Sequence, residues 1–136
     1  MKTLNEADRN EIVLYRIQKA ETAYQEATAT INLGFVGTAA NRLYYAAYYA
    51  VSALLIANGI TVRTHLGVKR MFGLHFIKPK LLDKRFGITF NRLLSLRMTG
   101  DYEDRRNLDM ISDVCPLVEP TRELIDTVSK MAKEKI

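Results

Sequence analysis

Arg97 and Asp101 stand four residues apart, one helical turn, and Tyr102 follows directly. Phe86, Phe90 and Leu94 precede Arg97 on the same helical stripe. Packing those three into a core carries Arg97 to the core's edge. A half-buried guanidinium needs an acceptor. Asp101, a tyrosine hydroxyl from another helix, or a bound phosphate could each serve. The first makes a structural pair; the last makes an anion site. A second constellation is Arg42 followed by Tyr44, Tyr45, Tyr48 and Tyr49. Tyr44 with Tyr48, and Tyr45 with Tyr49, form two adjacent rows on a helix. A buried phenol normally needs a hydrogen-bond partner. A single such Tyr reads best as core filler. Four beside an arginine predict that at least one row faces a polar cleft or a second subunit. His65 follows a candidate cap, Thr64, where its ring could bond loop backbone. His75 lies ten residues on, about 15 Å along a helix and too far to share a metal. Both histidines read as packed or capping groups.

Other chemistries are absent from the sequence. There is no Gly-rich phosphate loop, no H-E-x-x-H and no G-x-S-x-G. Carboxylates are sparse before the last third, which argues against a di-iron bundle site. The one cysteine, Cys115, leaves no intrachain disulfide and no Cys-rich zinc site. No metal or cofactor is expected, and no nucleophile–base pair assembles on spacing alone.

Charge is unevenly spread. The net charge is +5, yet residues 60–97 hold nine basic side chains (Arg63, Lys69, Arg70, Lys78, Lys80, Lys84, Arg85, Arg92, Arg97) against Asp83 alone. That segment carries +8 and the remainder −3. A concentrated positive field suits a polyanionic partner: nucleic acid, nucleotide phosphate or an acidic protein. The plainer alternative is a solvated basic face without a target.

These residues must be positioned by helices. From Leu43 to Ala57 the only clearly polar side chain other than the tyrosines is Ser52, with no Pro or Gly, and Gly59 follows as a stop. A helix apolar nearly all round belongs at the centre of a bundle. It is shorter than the ~20 residues a bilayer needs, so no membrane is expected. A first helix is predicted from about Asn5 to Ile31. Thr3-Leu4-Asn5-Glu6 has capping-box form, and Val13, Ile17, Ala20, Tyr24, Ala27 and Ile31 supply the stripe. Gly34 ends it, and the short link predicts an antiparallel neighbour. Thr64 caps a third, shorter helix to about Phe76 or Ile77, stopped by Lys78-Pro79. Asp83 caps a fourth to about Gly100. Tyr102 to Asn107 reads as a charged loop. The last helix starts near Ser112, with Pro116 tolerable in a first turn and a kink or late start at Pro120. The expectation is one domain, residues 1–136, all-α: an up-and-down bundle of four long helices plus one short helix. The N-terminus lacks a signal-peptide pattern, and the default compartment is a reducing cytoplasm.

In order along the chain, Asn41-Arg42-Leu43-Tyr44-Tyr45-Ala46-Ala47-Tyr48-Tyr49-Ala50, Leu54-Leu55, Gly59-Ile60, Thr64-His65-Leu66-Gly67-Val68, Phe72, His75-Phe76 and Arg97-Met98-Thr99-Gly100-Asp101-Tyr102 resemble a HEPN domain (higher eukaryotes and prokaryotes nucleotide-binding). The resemblance covers nearly the whole chain and is weakest at both termini. It implies a helical bundle, often dimeric. Many members are RNases serving as toxins in toxin–antitoxin pairs, and others are encoded beside a small nucleotidyltransferase. RNase members use an Arg followed four to six residues later by a His, paired across a dimer. Arg97 matches the Arg, whereas Tyr102, Glu103 and Asp104 occupy the positions of the His. The family's acid–base group near neutral pKa is therefore missing there.

Three functions follow as expectations. The first is a nucleotide- or RNA-binding module, half of a toxin–antitoxin-like or nucleotidyltransferase-partnered pair and a homodimer. Its ligand residues would be Arg97, Asp101, Tyr102, Arg42, Tyr45, Tyr49 and His65. The second is a divergent metal-independent ribonuclease toxin, with Arg97 on the phosphate and Tyr102, or a His from elsewhere, moving protons. The third is a structural interaction protein in which Arg97, Asp101 and the tyrosines only fix helix packing.

Overall fold

The computed structural model describes the backbone of residues 5–102 and 107–136, and the side chains of residues 5–98 and 111–136. Among the described residues all regular structure is helical: α1 (Glu6–Asn32), α2 (Val36–Ala57), α3 (His65–Phe72), α4 (Lys84–Tyr102), α5 (Asn107–Val114) and α6 (Val118–Lys133). A single π turn, Gly73–Ile77, extends α3, and a 3₁₀ turn, Cys115–Leu117, separates α5 from α6. No helix is long and apolar enough to cross a membrane among the described residues.

Local chemistry sets the ends of the first two helices. Asn5, rather than Thr3, caps α1; its side-chain oxygen accepts from the Asp8 amide at 2.8 Å. Thr3 lies outside the described residues. Gly34 adopts φ +86° and Gly59 φ +74°, the left-handed conformation glycine adopts without a Cβ penalty. Each closes its helix with paired reverse bonds: Phe35 N to Thr30 O at 2.8 Å and Gly34 N to Ile31 O at 3.1 Å for α1; Ile60 N to Leu55 O and Gly59 N to Ile56 O, both 2.9 Å, for α2. The short link folds α2 back along α1, the most extensive helix pair in the bundle.

α2 is the hub, touching each of the other helices. Ala20, Ala23 and Ala27 of α1 and Ala46, Ala47, Ala50 and Ala53 of α2 are buried, so backbones approach closely on this side. The larger core side chains include Leu43, Leu54, Leu55, Phe72, Phe90, Leu93 and Leu124, each stabilising the fold by roughly 1.5–3 kcal/mol when fully buried. On α4, Phe86, Phe90, Leu93 and Leu94 face this core and leave Arg97 half-buried at its rim.

The C-terminal region differs from expectation. Tyr102 closes α4 and Asn107 opens α5, so both ends of the expected charged loop are helical, and residues 103–106 lie outside the described residues. Of the two outcomes expected at Pro120 the late start holds: α6 begins at Val118, and a separate α5, opening ahead of Ser112, precedes it across the Cys115–Leu117 turn. Pro116 sits inside that turn, where its ring disfavours helical geometry at Cys115. Pro120 falls in the first turn of α6, where a missing N–H costs nothing. Arg122 then clamps α6 to α1. It donates to both carboxylate oxygens of Glu21, and the Tyr24 hydroxyl donates to Val118 O at 3.2 Å.

Candidate functional site

Three helices bring one cluster together. α2 supplies Tyr44, Tyr45 and Tyr48; α4 supplies Arg97; α3 supplies His65 from its first position. The T-H-L-G segment explains how His65 is set. Thr64 Oγ1 accepts from the Gly67 amide at 2.9 Å, capping α3. Gly67 is required by packing, since a Cβ there would lie 2.5 Å from Val62 Cγ1 and 2.8 Å from Thr64 Oγ1. With the cap and the preceding strap fixed, His65 projects onto the tyrosines. Its ring stacks on Tyr48 with centroids 4.4 Å apart, and Tyr45 stands edge-on at 5.8 Å. Its Nδ1 meets the Tyr44 hydroxyl at 2.6 Å. The ring therefore bonds a phenol, not loop backbone as the sequence suggests.

Arg97 closes the cluster. Its guanidinium carbon lies 5.5 Å from the Tyr44 ring centroid and 5.4 Å from that of Tyr45, and Nη2 donates to the Tyr45 hydroxyl at 3.3 Å. Its Nε is buried and has no hydrogen-bond partner among the described residues. A buried unsatisfied donor of this kind costs about 1–3 kcal/mol. Such a cost is tolerated where a ligand supplies the missing acceptor.

Titration follows the geometry. Burial, and then the charge of Arg97, hold the His65 pKa below its ordinary 6.5. Burial pushes the Tyr44 phenol far above its ordinary range, so it stays protonated at any physiological pH. A protonated phenol donating to Nδ1 leaves the ring proton of a neutral His65 on Nε2.

The residues expected to form the site divide. Arg97, Tyr45 and His65 come together. Arg42 borders them, with Cζ 5.2 Å from the Tyr45 ring, and is engaged by the side chain of Asn41 and by Glu26 at 3.6 Å. Tyr49 faces α1 instead, where Lys19 Nζ lies 4.7 Å from its ring and 5.5 Å from that of Tyr15. These groups line a cleft of about 350 Å³ between α1 and α2. The side chains of Asp101 and Tyr102 lie outside the described residues. Tyr44 and Tyr48, which the sequence does not distinguish from their row as site residues, are the two that hold the imidazole. Their spacing of four from each other was the available signal. Among the described residues no three His, Cys, Asp or Glu side chains group as metal ligands would.

Several known sequences are similar to this chain. A UPF0332 protein of Thermotoga maritima is 28% identical over 127 residues, 93% of this chain and 96% of that protein. Two Methanocaldococcus jannaschii proteins are also similar. The one named "Putative toxin MJ0605" is 25% identical over 134 residues, 98% of each chain. The one named "Putative toxin MJ0142" is 36% identical over 87 residues, 64% of this chain and 59% of that protein. The HEPN domain family model matches residues 13–134, which takes in every helix that positions the Arg97 cluster. By that match and by its fold, this chain belongs to the HEPN family.

Proposed function

We propose that the chain is a toxin-type HEPN module that holds a nucleotide or RNA phosphate on Arg97 and stacks a base on the adjoining tyrosines. One observation carries this reading: a half-buried guanidinium lies over Tyr44 and Tyr45 with no partner for its Nε among the described residues. A phosphate oxygen is the acceptor whose charge and geometry suit a guanidinium best. Aromatic faces beside it suit a base, at roughly 1–3 kcal/mol per stack. The naming of two relatives as toxins supports placing the module in a toxin–antitoxin-like pair. A homodimer, and a nucleotidyltransferase as the second member of the pair, belong to the same proposal. The test is binding of a fluorescein-labelled oligoribonucleotide and of ATP in EDTA. Arg97→Ala should weaken binding at least about tenfold, the value of one lost charge-assisted contact, with an unchanged circular dichroism spectrum. Equal affinity in that variant overturns the reading.

A ribonuclease reading is favoured by one separate observation, the placement of His65 on the Arg97 cluster. α3 supplies the imidazole that the segment after Arg97 lacks. In this reading a ribose 2′-hydroxyl attacks the adjacent phosphorus as the bond to the 5′-oxygen breaks. Imidazole relays the proton and Arg97 balances the phosphorane charge. Cleavage in EDTA that is lost in both Arg97→Ala and His65→Ala would establish it. Tight binding without cleavage restricts the chain to the first reading.

A further inference from the structure

Outside the Arg97 cluster, positive charge and exposed apolar surface coincide at one groove. It lies between α3 with its π turn and α4, and has a volume of about 620 Å³. Phe72, Gly73, Ile77 and Gly87 line it, and Leu66 and Ile88 stand at its walls, 59% and 44% exposed. Lys69 and Arg70 on α3 and Lys84 and Asn91 on α4 complete the lining. No acidic residue contributes to that lining. No carboxylate among the described residues pairs with the three cations. Arg85 and Arg122, on neighbouring surfaces, are paired with Glu123 and Glu21.

We propose that this groove docks an acidic amphipathic helix of a partner protein. Cations stand on both helices that bound it, and the apolar wall between them matches a stripe of leucine-like residues flanked by carboxylates. The apolar surface argues for a protein segment over RNA. Its exposed side chains are aliphatic, and its one aromatic, Phe72, is only 2% exposed and offers no stacking face. The two glycines keep the groove open. A Cβ on Gly73 would meet nothing within 4 Å, and one on Gly87 would meet Ile77 at 3.3 Å. This surface is built from different side chains than the Arg97 cluster, so the two proposals fail independently.

The probe is a synthetic helical peptide with leucines on a 3–4 repeat and glutamates flanking them, titrated into the full ¹⁵N-labelled chain. The expected result is amide shifts at Gly73 and Gly87. Affinity should fall about tenfold or more on Lys69→Glu with Lys84→Glu, and in high salt. Gly73→Leu should abolish the shifts with the remaining spectrum intact, because its side chain enters open space. Three results overturn the proposal: no shifts at the two glycines, equal binding of a scrambled peptide of the same composition, or displacement of the peptide by oligouridine at lower concentration.

Discussion

The Tyr44 hydroxyl, on the buried side of α2, meets Nδ1 of His65, the first residue of α3, at 2.6 Å. This bond fixes the short α3 against the central helix and sets the state of the imidazole. Because the phenol cannot ionise under ordinary conditions, it acts as the constant member of the pair. His65 is the member that can change, and the neighbouring Arg97 charge opposes that change.

A pH dependence follows. The folded-state pKa of His65 lies below the unfolded value of 6.5, so the unfolded chain takes up the proton first as pH falls. The stability from neutral His65 is fully present above pH 6.5 and is lost as pH drops through the folded value. Urea midpoints should therefore decline between pH 7.5 and pH 5.5. In His65→Gln this part of the decline should vanish. An identical slope in the variant would show that another group carries it.

Replacing Arg97 by Met should leave stability within about 1 kcal/mol of the parent, or raise it. The loss is one long phenol contact and cation–π attraction of about 0.5–1 kcal/mol. The gain is relief of the buried Nε, which has no partner among the described residues, about 1–3 kcal/mol. Ribonucleotide binding should be lost in the same protein. A residue kept for packing gives the opposite pattern, a lowered melting temperature with no effect on binding. Thermal unfolding and fluorescence anisotropy on one preparation separate the two.

Gly67→Ala and Gly73→Ala should have opposite signs. Both remove a glycine from helical backbone, a gain of up to about 1 kcal/mol. At Gly73 the new methyl meets open space, so the gain survives. At Gly67 it collides with Val62 and with Thr64 Oγ1. The cap is then disturbed at a cost of about 1 kcal/mol, and overpacking adds a further 1–3 kcal/mol. His65 should move with the cap, visible as altered imidazole resonances. Equal shifts in melting temperature for the two variants would contradict this account.

What the sequence makes legible here is local. Gly34 and Gly59 mark helix ends by their backbone conformation and Thr64 and Asp83 mark helix starts by side-chain caps, and the boundaries lie where those residues stand. The position of Arg97 is legible because Phe86, Phe90 and Leu94 fix the face of a regular helix. The Tyr44–His65 bond is not legible. It joins residues 21 apart across an irregular strap, and no periodicity spans that gap. The choice between tyrosine rows is hidden for a related reason. All four lie on one broad face of α2, and only the approach of α3 and α4 decides that Tyr44 is sealed while Tyr45, Tyr48 and Tyr49 stay half-buried. The start of α6 is legible from Pro120, which is disfavoured in a helix interior and stands in the first turn; the Cys115–Leu117 turn that sets α5 apart is not.

The clamp between α1 and α6 gives the last prediction. Arg122 is 26% exposed and donates to both oxygens of Glu21, which is 43% exposed. It also reaches Asp126 and lies 4.7 Å over the Tyr24 ring. The Arg122 hydrogen bond holds the Glu21 carboxyl below its ordinary 4.5, and partial burial opposes it. Arg122→Ala should cost about 1–2 kcal/mol, short of a fully buried pair because solvent screens Glu21. The contribution from Glu21 is present above pH 4.5 and is lost as pH falls through the folded value. The parent should therefore lose stability faster than Arg122→Ala on acidification below pH 4.5, and Glu21→Gln should resemble the arginine variant. Parallel acid curves for all three proteins would mean that aliphatic packing of Arg122 on Tyr24, rather than the ion pair, holds α6 in place.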